Sequence, residues 1–137
     1  MGKDNGIYVL IAEDDLEIAG VLRKALTGAG YRIALATDGE EALRSALAQR
    51  PDLIVLDVMM PQMNGWEVCK ALRARPEFDT TGILMLTAIG PNLNEMTAPL
   101  YGADDHLDKP FLIDELLDRV GRLARAKRDG GSDVVSA

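Results

Sequence analysis

The sequence predicts a single α/β domain: a parallel sheet covered by helices on both faces. Five short strand segments alternate with five segments of helical spacing, joined by short loops. The first, third and fourth are nearly continuous apolar runs, as in strands buried on both faces, while the second alternates. At 137 residues the chain fits one domain and is long enough to bury a core.

Ile7 to Ala12 is β-rich and apolar, and runs directly into Glu13-Asp14-Asp15. Leu16 to Thr27 follows as a helix, with Ile18, Leu22, Ala25 and Leu26 on one face and Asp15 placed to cap it. Gly28 and Gly30 end it. Tyr31 to Ala36 is a second strand. Asp38 or Gly39 opens a second helix through Gln49, with Ala42, Leu43, Ala46 and Leu47 inward. Arg50-Pro51-Asp52 breaks the chain before the central strand, Leu53 to Asp57. A loop over Met59 to Asn64 leads to a third helix, Gly65 to Ala74, with Val68 and Leu72 as core positions. Arg75-Pro76-Glu77 stops it.

Gly82 to Thr87 is a fourth buried strand. Pro91 to Tyr101 reads as a helix, but an irregular one, because Pro99 removes a hydrogen bond and meets the Glu95 carbonyl. His106 to Lys109 is a short fifth strand. Ile113 to Arg128 is the last helix, with Ile113, Leu116, Leu117, Val120, Leu123 and Ala124 inward. Domain bounds follow: a tail over 1–6, the folded unit over 7–127, and a disordered tail or linker over 128–137.

Composition narrows the function. No apolar run approaches the length of a membrane span, and the first residues carry no apolar leader. One cysteine, Cys69, excludes an internal disulfide and a thiolate metal cluster; it reads as a core residue, not a nucleophile. These features suit a cytoplasmic protein. The net charge of −7 argues against a nucleic-acid surface. The basic run Arg119 to Arg128 is expected at a helix C-terminus, where cations suit the dipole.

The strand ends carry the chemistry. The first ends on Glu13-Asp14, the third on Asp57, the fourth on Thr87 with Ala88, and the fifth on Lys109-Pro110. In a parallel sheet these ends share one edge, where ligands bind. Asp57 alone could be a turn residue. Three gathered carboxylates are harder to dismiss, since each pair at ~4 Å costs roughly 4 kcal/mol at an effective dielectric of about 20. They need protons or a cation. An all-oxygen ligand set favours Mg²⁺, or Mn²⁺, over zinc. Lys109, the Thr87 hydroxyl and the Ala88 amide would then serve phosphoryl oxygens.

With these motifs in order, the chain resembles the receiver domain of two-component response regulators, of the single-domain chemotaxis-regulator type. The motifs are Glu13-Asp14, Asp57 with Pro61 and Gly65, Thr87-Ala88, Gly102-Ala-Asp-Asp105 and Lys109-Pro110-Phe111, within a match over about residues 7 to 125. The resemblance implies a flavodoxin-like fold with strand order 2-1-3-4-5. It implies that Asp57 accepts a phosphoryl group from a sensor histidine kinase or phosphotransfer protein. Asp14, Asp57 and the Met59 backbone carbonyl would ligate Mg²⁺, with Glu13 reaching it through water. Thr87 would be a switch hydroxyl, and Lys109 would pair with a phosphoryl oxygen. The Lys109-Pro110 peptide would be cis. The expected role is a switch signalling to an effector, as a monomer or weak dimer, rather than a turnover enzyme.

Four positions depart from the family pattern. His106 stands where the family has a Tyr or Phe that changes rotamer, so it is a candidate switch residue with added pH dependence. Pro99 alters the helix many relatives use for dimerisation and output. Met59 and Ile89 are apolar where a polar residue would help position water, which predicts slow autodephosphorylation. Asp104 and Asp105 read as turn residues, and Trp66 as a half-buried ring or a partner contact. Among other readings, an aspartate-nucleophile hydrolase lacks its second acid, because that position is Met59. A flavin phosphate would be repelled by the acids. A receiver-like module not regulated by phosphorylation remains the alternative.

Overall fold

The computed structural model of the chain describes residues 6–87 and 102–136, with side chains through residue 126. The elements are β1 (Tyr8–Ala12), α1 (Leu16–Gly28), β2 (Arg32–Ala36), α2 (Gly39–Gln49), β3 (Leu53–Asp57), α3 (Gly65–Arg73), a 3-10 turn (Pro76–Phe78), β4 (Gly82–Thr87), β5 (Asp105–Asp108) and α4 (Ile113–Ser136). The helix expected over Pro91 to Tyr101, with Pro99, and residues Ala88 and Ile89 lie outside the described residues.

The five strands form one sheet in the order β2-β1-β3-β4-β5. Every pairing is parallel. The order reverses between β1 and β3, so a topological switch point lies at their carboxyl ends.

Period-two alternation divides each strand between two core layers. Leu10, Ala12, Ile54, Leu56, Ile83 and Met85 pack beneath α2 and α3, against Ala42, Ala46, Val68 and Leu72. Val9, Ile11, Leu53, Val55, Leu84 and Leu86 face the opposite way, against Leu22 and Leu26 of α1 and Leu116 and Val120 of α4. Both faces of β1, β3 and β4 are therefore covered, which is why those strands read as continuous apolar runs.

Local chemistry sets the helix ends. Asp15 caps α1 by accepting from the Glu17 and Ile18 amides at 2.9 and 3.2 Å. Asp38 caps α2 by accepting from the Glu41 amide at 2.8 Å. Asn64 and Glu67 form a reciprocal capping box at α3. At the far end of α1, Gly30 takes φ 99°, and the Gly30 and Tyr31 amides donate back to the Thr27 and Leu26 carbonyls at 3.0 and 3.1 Å. That is a Schellman stop, and Gly30 supplies the left-handed conformation it needs.

The structure corrects several expectations. β5 is Asp105–Asp108, one residue earlier than expected. α4 continues to Ser136 instead of ending at Arg128. Gly130 and Gly131 each cost a helix only about 1 kcal/mol and leave the backbone hydrogen bonds intact, unlike proline. The basic run from Arg119 to Arg128 consequently lies inside α4, not at its C-terminus. There Arg119 donates to Asp105 Oδ1 at 3.0 Å and to the His106 carbonyl at 2.8 Å. Trp66 is only 8% exposed and packs in the α2–α3 layer, which removes it as a partner-contact aromatic.

Candidate functional site

The carboxyl ends of β1, β3, β4 and β5 converge at one edge. Glu13 continues the β1–β2 pairing, its amide donating to the Ala36 carbonyl at 3.0 Å. That bond turns the Glu13 side chain inward, where it is 1% exposed. Asp14, the next residue, is exposed. Asp57 is the last residue of β3 and 3% exposed. Carboxylate oxygens of Glu13, Asp14 and Asp57 lie within 4.8 Å of one another.

Lys109 enters from β5. Its amide donates to the Thr87 carbonyl at 2.7 Å, and the Lys109-Pro110 peptide is cis. Its Nζ then reaches Glu13 Oε1 and Asp57 Oδ1, both at 3.1 Å. Thr87 is buried at the end of β4. The alternation that sends Leu107 into the α1–α4 layer puts His106 on the Thr87 face, two residues before Asp108, the register partner of Thr87.

Gly65 explains how Asp57 is held. The Gly65 amide donates to the Val58 carbonyl at 2.9 Å, and the Val58 amide donates to the Leu86 carbonyl at 2.9 Å. The α3 N-terminus is drawn so close to β3 that a Cβ on Gly65 would strike the Asp57 carbonyl oxygen and come within 2.9 Å of Val58 Cα. Only glycine fits there. Gly39, at the start of α2, has the same constraint against the Met63 backbone. Its amide donates to the Pro61 carbonyl at 3.3 Å, pinning the loop after Asp57.

The electrostatics follow from burial. Glu13 is pushed up to about 7, first by burial and then by the Asp57 charge, against the opposing pull of Lys109 and the Asp15 amide. Asp57 is also raised by burial, although Lys109, Glu13 and the Met59 amide all favour its charged form. Burial pulls the other way on Lys109, but its bonds to Glu13 and Asp57 outweigh that and hold it above its ordinary value. One ammonium is thus shared by a surplus of carboxylates. The donor set, all oxygen and one cation short, fits a hard divalent ion such as Mg²⁺.

Several sequence expectations stand as read. Cys69 is buried, and burial pushes its thiol up to about 11, which suits an inert core residue. Asp104 Oδ2 accepts from the Ile83 amide and from Arg73 Nη2, both at 2.8 Å, and so shapes the turn into β5. The sequence reading missed Arg73 itself, which also donates to the Gly102 and Phe78 carbonyls at 2.7 and 2.6 Å. Nothing local in the sequence marks it, because those partners come from two other segments, the 3-10 turn and the chain entering β5. Nor did it find the groove of about 680 Å³ beside Lys109, lined by Ile18, Val21 and Leu22 of α1 and by Pro110, Phe111 and Ile113.

Residues 9–121 match the response regulator receiver domain. The chain belongs to that family. Among its relatives, response regulator MprA of Mycobacterium leprae is 44% identical over 130 residues, covering 93% of this chain and 56% of that protein. The receiver domain therefore spans about half the length of such relatives. Among solved structures, the chemotaxis response regulator CheY4 of Vibrio cholerae superposes with a TM-score of 0.81 at 37% identity, covering 85% of this chain and 98% of that one. The receiver domain of a Pseudomonas aeruginosa sensor histidine kinase, with a magnesium ion coordinated in its active site cleft, gives 0.78 at 32% identity, covering 85% and 96%. The five-stranded parallel order 2-1-3-4-5 is that of a receiver domain, and the protein is the receiver domain of a two-component response regulator. Among the described residues no helix is long and apolar enough to cross a membrane.

Proposed function

We propose that Asp57 is the phosphoacceptor of this receiver domain, and that its donor is the phosphohistidine of a sensor histidine kinase or phosphotransfer protein. The observation that carries this is the position of Lys109 Nζ, 3.1 Å from both Glu13 and Asp57 in a pocket of three carboxylates. An Asp57 oxygen attacks phosphorus, and the phosphorus–nitrogen bond of the donor breaks as the imidazole leaves. Lys109 turns from the carboxylate to a phosphoryl oxygen, neutralising charge where it accumulates. The Thr87 hydroxyl, buried on the adjacent strand, supplies a donor to the same group, and the Ala88 amide is assigned a similar role. Asp14, Asp57 and the Met59 carbonyl would hold Mg²⁺, with Glu13 acting through water. Once bound, the ion screens the phosphoryl oxygens from the carboxylates. Mn²⁺ fits the same ligand chemistry. The apolar groove beside Lys109 gives a protein donor a surface to cover on approach.

In this reading the domain turns over only its own phosphoryl group, and its product is a changed surface rather than a released molecule. His106, on the Thr87 face of β5, is assigned to the switch. The effector, a monomeric or weakly dimeric state and a cytoplasmic location belong to the same reading. Incubation with Mg²⁺ and acetyl phosphate tests it. Intact mass spectrometry should show the wild-type chain gaining one phosphoryl group, and Asp57→Ala or chelation of the metal should abolish the gain. No gain in the wild type, or an equal gain in Asp57→Ala, would leave the domain an interaction module not regulated at Asp57.

A further inference from the structure

Met59 is the most accessible methionine among the described residues. It is 69% exposed, whereas Met60 is 9% and Met85 0% exposed. It is also attached to the phosphoacceptor site, because its backbone amide hydrogen-bonds the Asp57 carboxylate. The thioether therefore stands in solvent within two residues of the carboxylate, on the loop that Gly65 and Gly39 pin at both sides. The pinned backbone keeps the Met59 main chain beside the carboxylate.

We infer that Met59 is a site of oxidation by peroxide, and that its sulfoxide shortens the lifetime of the phosphorylated domain. The sulfur lone pair attacks one peroxide oxygen. A sulfur–oxygen bond forms as the oxygen–oxygen bond breaks, and the second oxygen leaves as water with both peroxide protons. The thioether is oxidised by two electrons and the peroxide reduced by two. Exposure confers the selectivity. Met60 and Met85 are screened by packing, and the Cys69 thiol is buried and held protonated, while peroxide chemistry at cysteine needs the thiolate.

The functional effect follows from the change in polarity. A thioether is a weak acceptor that orders no water beside Asp57. A sulfoxide is a polar acceptor. At the mouth of the site it holds a water by one hydrogen, leaving that water's oxygen free to face phosphorus. A hydrogen bond of ordinary strength to the attacking water raises hydrolysis by roughly two- to tenfold. Oxidation would thus act on the off-rate of the signal and not on its acceptance.

The inference rests on Asp57 being the acceptor, and the experiment separates the two. The full chain is phosphorylated with acetyl phosphate and Mg²⁺, desalted, and its dephosphorylation followed by intact mass, with and without prior treatment with hydrogen peroxide. Peptide mapping locates the added oxygen. The expected result is an oxygen on the Met59 peptide, unchanged phosphoryl uptake and a two- to tenfold shorter lifetime. Met59→Leu should show no change in its own lifetime on peroxide treatment, and untreated Met59→Gln should decay faster than untreated wild type. Failure of the untreated chain to take up phosphoryl overturns the acceptor assignment and this inference with it. Normal uptake with an unchanged lifetime after Met59 oxidation, no oxygen at Met59, or the same shortening in Met59→Leu overturns the inference alone.

Discussion

Glu13 is surrounded by apolar strands and faces Asp57, so its charge is costly until a cation arrives. With its pKa pushed up to about 7 from 4.5, the folded chain keeps a proton that the unfolded chain releases between those values. Stability therefore falls as pH rises from about 4.5 to 7, by on the order of 3 kcal/mol for this one group. The raised Asp57 acts in the same direction. Urea denaturation in chelator should accordingly give lower stability at pH 7 than at pH 5.5. Mg²⁺, which binds only the folded site, should reverse the loss at pH 7. Glu13→Gln should flatten the pH dependence, and an unaltered slope would rule Glu13 out as its source.

Elements meet at the site through backbone contacts as much as through side chains. The β3–α3 junction is the tightest of them, since the first residue of α3 packs on the Asp57 peptide. Gly65→Ala should force β3 and α3 apart, destabilising the fold by about 1–3 kcal/mol, as overpacking does. The same displacement should slow phosphoryl uptake at saturating Mg²⁺, because Asp57 loses its alignment with Lys109. Uptake as fast as wild type in a variant destabilised by that amount would show that the junction sets stability alone. At the opposite edge of the sheet, Arg73 performs a comparable junction with side-chain bonds, tying α3 and the 3-10 turn to the chain entering β5.

At the scale of the whole molecule, one sheet separates two core layers and belongs to both. Loss of either layer uncovers the same strands, so unfolding should be cooperative. Trp66 reports on the α2–α3 layer, while Leu116 lies in the α1–α4 layer. Leu116→Ala should cost about 2–5 kcal/mol. Trp66 fluorescence and far-ultraviolet circular dichroism should shift together to a lower urea midpoint. Separated transitions would mean that the layers unfold independently.

Periodicity alone sufficed for the layered α/β class, for β1, β3 and β4 as doubly buried strands, and for the polar residues at their ends. Those features depend on neighbours a few residues apart, which sequence records directly. The Asp15 cap and the opening of α2 at Asp38 or Gly39 were legible for the same reason, as was the inward face of α4; the Asn64–Glu67 capping box was not read. The end of α4 was not legible, because two glycines weaken a helix without forbidding it. Contacts between elements were decided by the tertiary structure: Lys109 on Glu13, 96 residues away, Gly65 at the start of α3 against the Asp57 carbonyl, and Arg73 on Gly102. The pKa of Glu13 belongs with these, since burial and a facing charge exist only once the strands are side by side. The acids at the strand ends were in the sequence; their confinement within 4.8 Å of one another around a single ammonium, two positive charges short of neutrality, came from the parallel sheet.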